Sequence, residues 1–195
     1  MGVRVLVGCE TSGVVRRAFA DVGIEAWSCD LLASEDNDPR HIVGDVREVV
    51  TGGGPWDLGI FHPPCTDLAS SGARWMAEKG EEVIEESVDL LRWLLAYQRV
   101  VPRVCIENPI GVASTRMCLP SQIVQPWWFG HGETKATCLW LRNLPVLRAT
   151  KVVAGRADNV HFMGQTADRW RKRSRTFEGL GHAMATQWGG LLLEK

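Results

Sequence analysis

The stretch LGIFHPPCTDLASSG, residues 58–72, decides how this chain is read. It opens with an apolar run of strand character, stops at His62, Pro63 and Pro64, and passes through Cys65 into a small polar loop ending in Ser71 and Gly72. Proline fixes φ, removes a backbone donor and restricts the residue before it. Two in succession at a strand end hold the next side chain in a narrow cone and leave no spare N–H to capture its sulfur. Cys65 is therefore expected to be presented rather than packed, although buried thiols are the rule for cysteine in general.

The same strand-then-polar punctuation recurs on either side. VRVLVG (3–8) is a short apolar run ending at CETSG, and VVRRAFADVG has helical spacing through Val14, Val15, Ala18, Phe19 and Val22, closed by Gly23. IEAWSCD reads as a second strand ending at Asp30, and HIVGDV as a third ending near Asp45. Glu78 to Arg99 reads as a helix: Ile84, Val88, Leu91 and Leu95 share a stripe, acids crowd its first half, and Arg92 and Arg99 lie towards its end. RVCIENP is a fifth, buried strand, and TKATCLWL alternates like a further, partly exposed one. Alternating strands and helices imply an α/β fold: a mainly parallel twisted sheet with helices on both faces and right-handed crossovers.

In such sheets ligands gather beyond the carboxyl ends of the strands. CETSG, Asp30, Asp45, PPC and ENP all follow the last apolar residue of a predicted strand, so five polar clusters share one rim. CETSGV lacks both glycine-rich phosphate signatures, and Glu10 would repel a phosphate. Asp30 is placed to accept hydrogen bonds from a ribose diol, though a turn or cap role fits it equally. Together these point to a nucleoside without phosphates, such as the adenosyl part of S-adenosylmethionine.

Bulk properties set the frame. With 195 residues, 45% hydrophobic and 23% charged, the chain suits one well-packed soluble domain, residues 1–195. The N-terminal apolar run is shorter than a signal-peptide core, Leu6 stands where myristoylation wants Ser or Thr, and no run is long enough to span a membrane. The expected location is the cytoplasm of a bacterial or virus-infected cell. Six scattered cysteines show no zinc spacing, so no metal is expected. Net charge is −1, but Glu78 to Asp89 holds six acids against Lys79, and Arg142 to Arg175 holds nine bases against two acids. A polyanion could meet the basic side; a solvated basic loop is the plainer reading.

PPC on the fourth strand and ENP on the fifth resemble the two signature motifs of the cytosine-5 DNA methyltransferases. CETSGV, Asp30 and GDV with Asp45 resemble that family's cofactor motifs in the same order, and CTDLASSG resembles its catalytic loop. These matches run from residue 3 to 110. A looser one follows at FGHGETKATCLWL, where the family has a glutamine and two arginines and this chain has Glu133, Lys135 and Thr137. GLGHAMATQWG resembles the last cofactor motif, with His182 where the family has an asparagine.

The resemblance implies S-adenosylmethionine as cofactor, held by Cys9, Glu10, Thr11, Gly13, Asp30, Leu31, Asp45, Val46, Pro63 and His182. It implies Cys65 as the nucleophile that adds to C6 of cytosine and makes C5 an enamine able to accept a methyl group. A free thiol with a pKa of about 8.5 needs help to ionise at neutral pH. Glu107 would be kept partly protonated by desolvation to donate to N3, Asn108 and Pro109 would hold its backbone, and Lys135 would meet O2. The expected partner is DNA with a flipped cytosine, bound by a monomer. Ser70, Ser71 and Arg74 would close over the base, and Arg169, Arg171, Arg173 and Arg175 would meet phosphates. Trp127 and Trp128 read as core or loop anchors before base-stacking platforms.

The family's separate target-recognition domain has no counterpart beyond residues 142–176, fewer than the ~40 below which a domain rarely stands alone. Short or relaxed sequence specificity follows, with 111–126 as a substitute reading loop. Methylation of an exocyclic nitrogen fits poorly, since His62 and Cys65 suit neither slot of that motif. Methylation of RNA or a free cytosine nucleotide, and a degenerate fold that binds DNA or protein without turnover, stay open.

Overall fold

The computed structural model describes residues 2–70, 80–97, 101–160, 166 and 169–194. Seven strands form one sheet: β1 (Arg4–Gly8), β2 (Glu25–Asp30), β3 (His41–Val43), β4 (Leu58–Phe61), β5 (Val104–Pro109), β6 (Gln122–Val124) and β7 (Thr137–Arg142). Their order is β3-β2-β1-β4-β5-β7-β6, with β1 to β5 mutually parallel and β7 antiparallel to both its neighbours. The central strands are buried on both faces, which is why β1 and β4 read as unbroken apolar runs rather than as alternations.

Successive residues of each strand serve opposite faces. Val5, Val7, Leu58 and Ile60 join one core layer with helices α1 (Val14–Asp21) and α6 (Glu178–Leu193). Leu6, Phe61, Val104 and Ile106 join the other, with α2 (Val46–Gly52) and α3 (Glu81–Ala96). Gly8, at the end of β1, faces Phe61, whose ring would lie 2.5 Å from any added Cβ. The helix predicted from Glu78 is described from Glu81: Ile84, Val88, Leu91 and Leu94 are its buried residues, so Leu94 takes the place expected for Leu95. Its Arg92 pairs with Glu85 and Asp89 instead of capping the last turn.

Two expectations change. TKATCLWL is not half exposed: Thr137, Cys138, Leu139 and Trp140 are all buried, because β7 lies inside the sheet between β5 and β6. The segment 111–126 is not a free reading loop. Ala113–Arg116 makes one helical turn, α4, and Gln122–Val124 forms the edge strand β6. Residues 143–160 trace along the 127–134 segment through bridges at Phe129–Lys151 and Glu133–Ala157, anchored by buried Leu147. Trp128 packs on the first core layer, and Arg156 stacks on Trp127 at 3.8 Å, so both tryptophans are anchors. The basic tract begins the last short helix, α5 (Arg169–Ser174). No described helix is long and apolar enough to cross a membrane.

Helix α1 buries a full charge. Arg16 is 0% exposed; its guanidinium meets Asp36 and Asp38 at 2.5 Å each and donates from Nε to Ser28 Oγ at 3.1 Å. This holds the β2–β3 connection against the start of α1. The bonds from Arg40, then Arg16, hold Asp38 far below the usual carboxylate range, and Arg17 and Arg16 outweigh burial to lower Asp36. Both folded pKa values are depressed, so their stabilisation is present above the unfolded value of about 3.9 and fades as pH falls towards the folded values. Arg16→Met is expected to cost about 3 kcal/mol in urea unfolding at neutral pH, because it leaves two acids without their buried partner, and to flatten the loss of stability on acidification.

Candidate active site

The backbone carries β4 past its last ladder residue, with the His62 N–H donating to the Gly8 carbonyl at 2.9 Å. Pro63 is buried, Pro64 exposed and Cys65 half-buried. The Cys65 carbonyl then accepts from Leu68 and Ala69, at 3.1 and 2.9 Å, which turns the chain back on itself. Ala69 bridges Gly111, Ser70 N–H donates to Ile110 at 3.0 Å, and Val112 N–H donates to Leu68 at 2.9 Å. Only glycine permits this approach: a Cβ on Gly111 would lie 1.8 Å from the Leu68 carbonyl oxygen. The loop after the thiol is thus sewn to the segment after ENP as far as exposed Ser70. Ser71 and Arg74 lie outside the described residues.

A second stitch lies deeper. Asn108 Nδ2 donates to the Pro63 carbonyl at 2.9 Å, and Asn108 is 1% exposed. The two motifs are therefore bonded to each other and not merely on adjacent strands. Register pairs Phe61 with Ile106, so the next residues, His62 and Glu107, are cross-strand neighbours. His62 Nδ1 lies 3.1 Å from Glu107 Oε2, with side chains 8% and 11% exposed.

That contact overturns one expectation. Burial does push the Glu107 carboxyl up, but the His62 hydrogen bond, the charges of Lys135 and His62 and the bond from Thr137 outweigh it. The group sits below the ordinary glutamate value, ionised rather than partly protonated at neutral pH. His62 was missed as a partner because a histidine before two prolines reads as backbone punctuation; the strand register was the signal that could have found it. Burial, then the charge of Glu107, raises the Cys65 thiol, while Lys135 and Arg173 act to lower it.

Lys135 therefore reaches both groups electrostatically; its Nζ donates to the Arg175 carbonyl at 3.4 Å. Next to it is a cavity of about 250 Å³ lined by Glu133, Lys135, Lys172, Arg173, Arg175 and Phe177. The basic tract divides accordingly. Arg173 and Arg175 line this cavity, Arg175 also pairing with Glu35, whereas Arg171 is exposed over Trp170 and Arg169 stands apart, half-buried.

The residues expected at a cofactor also divide. Cys9 occupies the left-handed region at φ 59°, and its thiol, raised chiefly by burial, feels Cys29, Asp30 and Asp45, which gathers three strand ends at one place. Asp30 Oδ1 accepts from Leu32 N–H at 3.0 Å, the other oxygen is unbonded among the described residues, and Leu31 beside it is 72% exposed. Asp45 caps α2 through the Arg47 N–H at 2.7 Å. Pro63 gives its carbonyl to Asn108.

Four placements differ from expectation. Glu10 is 5% exposed and spends its carboxylate on the start of α1, accepting from Val15 N–H at 2.9 Å and Ser12 Oγ at 3.1 Å; it is a helix cap, not a ligand contact. Val46 is 7% exposed and packs in the core beneath Gly8. Thr11 and Gly13 face the β2–β3 connection: Thr11 bonds Glu35 through both backbone and hydroxyl, and Gly13 abuts Arg16, Arg17 and Asp36. His182 is exposed in a groove along α1 with Val14, Arg17, Ala18 and Asp21.

Comparison with known proteins leaves the chemistry to this geometry. No family model matches the chain and no curated protein matches it. Solved structures do. The chain is similar in structure to methyltransferases. The Entamoeba histolytica methyltransferase EhMeth aligns at TM-score 0.49 and 14% identity, over 78% of this chain and 58% of that one. S. pombe Dnmt2 methyltransferase aligns at 0.45 and 14%, over 85% and 55%. A mutant of Spodoptera frugiperda DNMT2 aligns at 0.43 and 14%, over 78% and 54%. The chain spans little more than half the length of each. Values at this level describe a shared outline and decide nothing about substrate.

The donor set at the rim fits a nucleoside lacking phosphates. Asp30 keeps an oxygen for a diol, Leu31 offers exposed apolar surface beside it, and Glu10 sets negative charge where a phosphate would approach α1. The electrostatic coupling of the thiol is directly measurable. Peptide-mapped alkylation of Cys65 is expected to need a pH above the ordinary thiol range; Glu107→Gln should move its midpoint down and Lys135→Ala up, with exposed Cys118 as an unaffected control.

Proposed function

We propose that the protein methylates C5 of cytosine in DNA, using S-adenosylmethionine, through a covalent bond between Cys65 and C6. The observation that carries this reading is the stitched pair of motifs. The charge of a buried carboxylate on the next strand reaches a half-buried thiol after two prolines, Lys135 acts on both, and Asn108 bonds one motif to the other. A cysteine that served only to pack would have no use for this arrangement.

The cofactor, when bound, supplies an electrophilic methyl group; Asp30 and Leu31, with Asp45 and Cys9 behind them, are the residues that would hold its nucleoside. The chain's own groups do the rest. The Cys65 thiolate forms a bond to C6, and the electron pair of the C5–C6 double bond moves to C5 and into the ring. Lys135 stabilises the charge that develops at O2, and Glu107 faces N3, where a proton is needed as the ring becomes basic. After C5 has gained its methyl group, a water molecule takes the C5 proton, the C–H electron pair re-forms the C5–C6 double bond, and Cys65 leaves with the electron pair of the S–C6 bond. Asn108 keeps the two strand ends from drifting apart, which matters because a misplacement of about 1 Å can cost 10²-fold in rate.

Lys172, Arg173 and Arg175 beside the recess favour a substrate that brings phosphates with the base. A duplex cytosine must leave the stack to reach the half-buried thiol. In this reading the specificity is short or relaxed and the protein acts as a monomer. RNA and free nucleotides are the competing substrates.

The deciding experiment offers 5-fluorocytosine in duplex DNA, single-stranded DNA, RNA and nucleotide form, with labelled cofactor, and looks for a denaturation-resistant adduct. The wild type is expected to trap on DNA, Cys65→Ser on nothing, and Glu107→Gln to methylate unmodified DNA about 10²-fold to 10³-fold more slowly. An adduct on RNA alone would move the substrate; none on any would end the proposal. In salt titrations of DNA binding, Arg173→Ala with Arg175→Ala is expected to reduce the slope of log K against log salt by about 2, one for each phosphate left without its arginine.

A further inference from the structure

Most tryptophans of this chain pack against the rest of it. Trp56, Trp140 and Trp188 are almost completely buried, and Trp27, Trp93, Trp127 and Trp128 are half-buried. Trp170 differs. It is 53% exposed, and among the described tryptophans it alone is an exposed residue. Its sequence neighbourhood is equally unusual: RWRKRSR, residues 169–175, carries five bases and no acid, with the indole second in the run. A large aromatic ring turned towards water beside so many cations holds apolar surface that the fold itself leaves unused.

The ring is held but not covered. The Arg171 guanidinium stands over it at 5.2 Å, and more than half of the residue stays open to solvent. An aromatic ring with a cation on one side can still take a flat partner on the other. The helix that carries it is tied to the recess: Lys172 and Arg173 of α5 line it, and the Arg175 carbonyl just past the helix end accepts from Lys135 Nζ at 3.4 Å. Residues three apart adjoin on a helix surface, so Trp170 sits beside Arg173, about 4.5 Å along the axis. Successive nucleotides of a stacked strand follow one another at about 3.4 Å, a comparable step. Trp170 does not itself line the recess. Its partner is therefore something other than the base that enters there.

We propose that Trp170 is a stacking platform for an unpaired base flanking the target cytosine, and that the preferred substrate is DNA presented as a single strand or locally opened. The choice of DNA rests on the methyl-transfer reading above; the platform rests on Trp170 and its basic surroundings. The five bases of the tract attract phosphates without regard to sequence, and the exposed ring offers a surface to one base. A paired base inside a duplex has both faces covered by its neighbours. The ring can meet only a base that has left the stack, or one whose neighbour has, which is the state of the strand beside a flipped cytosine. Every base has a π-face, so such a contact tolerates any neighbour and agrees with short or relaxed specificity.

Equilibrium DNA binding by the full-length protein, followed by fluorescence anisotropy, tests this without turnover. The probes are a short cytosine-containing single strand, its blunt duplex, and an abasic strand of the same length that keeps the phosphates and lacks the bases. The wild type is expected to bind the single strand more tightly than the duplex. Trp170→Ala should weaken single-strand binding about 10-fold, weaken duplex binding less, and leave abasic-strand binding unchanged. The slope of log K against log salt should stay as it was, because no charge is lost. Trp170→Phe should restore most of the affinity, and thermal melts of both variants identify any loss that is merely structural. Unchanged single-strand affinity in Trp170→Ala, an equal loss in Trp170→Phe, or an equal loss on the duplex or abasic strand would overturn the platform. So would sedimentation showing that Trp170→Ala breaks a dimer of this chain, since the ring would then be covered by a second copy. If the binding pattern holds but no 5-fluorocytosine adduct forms, the methyl-transfer reading falls and the platform stands; if the adduct forms and Trp170→Ala binds like the wild type, the platform alone falls.

Discussion

One hydrogen bond carries the greatest responsibility in this molecule: the amide of Asn108 reaching across to the carbonyl of Pro63. Proline has no N–H to enter the sheet ladder, so a strand that ends in two prolines loses its means of staying attached to its neighbour. A buried side-chain amide supplies the missing donor. That bond ties the segment carrying the thiol to β5, where Glu107 is already held in register with Leu139 of β7. With it they share a frame, and the approach of Gly111 to Leu68 closes that frame from the solvent side.

Within the frame, charge is arranged more than contact. One buried carboxylate raises the thiol beside it, a lysine from a distant part of the chain opposes that effect, and a histidine keeps the carboxylate ionised. The resting arrangement disfavours the thiolate, and protonation of Glu107 would remove the negative charge that contributes to this.

Much of this was legible in the sequence. Continuous apolar runs that stop at polar clusters announce parallel strands and a shared rim, and both are present. The prolines announced a presented cysteine, and Cys65 is half-buried outside the core. What was not legible has physical causes. Arg16 looks like one more surface arginine on an amphipathic helix until the β2–β3 connection folds Asp36 and Asp38 over it. Glu10 reads as a ligand contact because a turn after the first strand often is one, yet the unsatisfied N–H groups at the start of α1 claim it. TKATCLWL reads as half exposed because local sequence does not show that both faces of β7 are covered, Leu139 in one core layer and Cys138 and Trp140 in the other.

The reversal of β7 has a consequence for how the polypeptide can be assembled around its chemistry. Parallel strands offer a site only the residues that follow them; a residue that precedes one is delivered to the opposite edge, about 20 Å away for a six-residue strand. Because β7 runs the other way, what comes before it arrives at the rim where its neighbours depart. Lys135, two positions ahead of Thr137, owes its place to that inversion. A topology with seven co-directional strands would have exiled this cation, however faithfully it kept the cysteine and the glutamate.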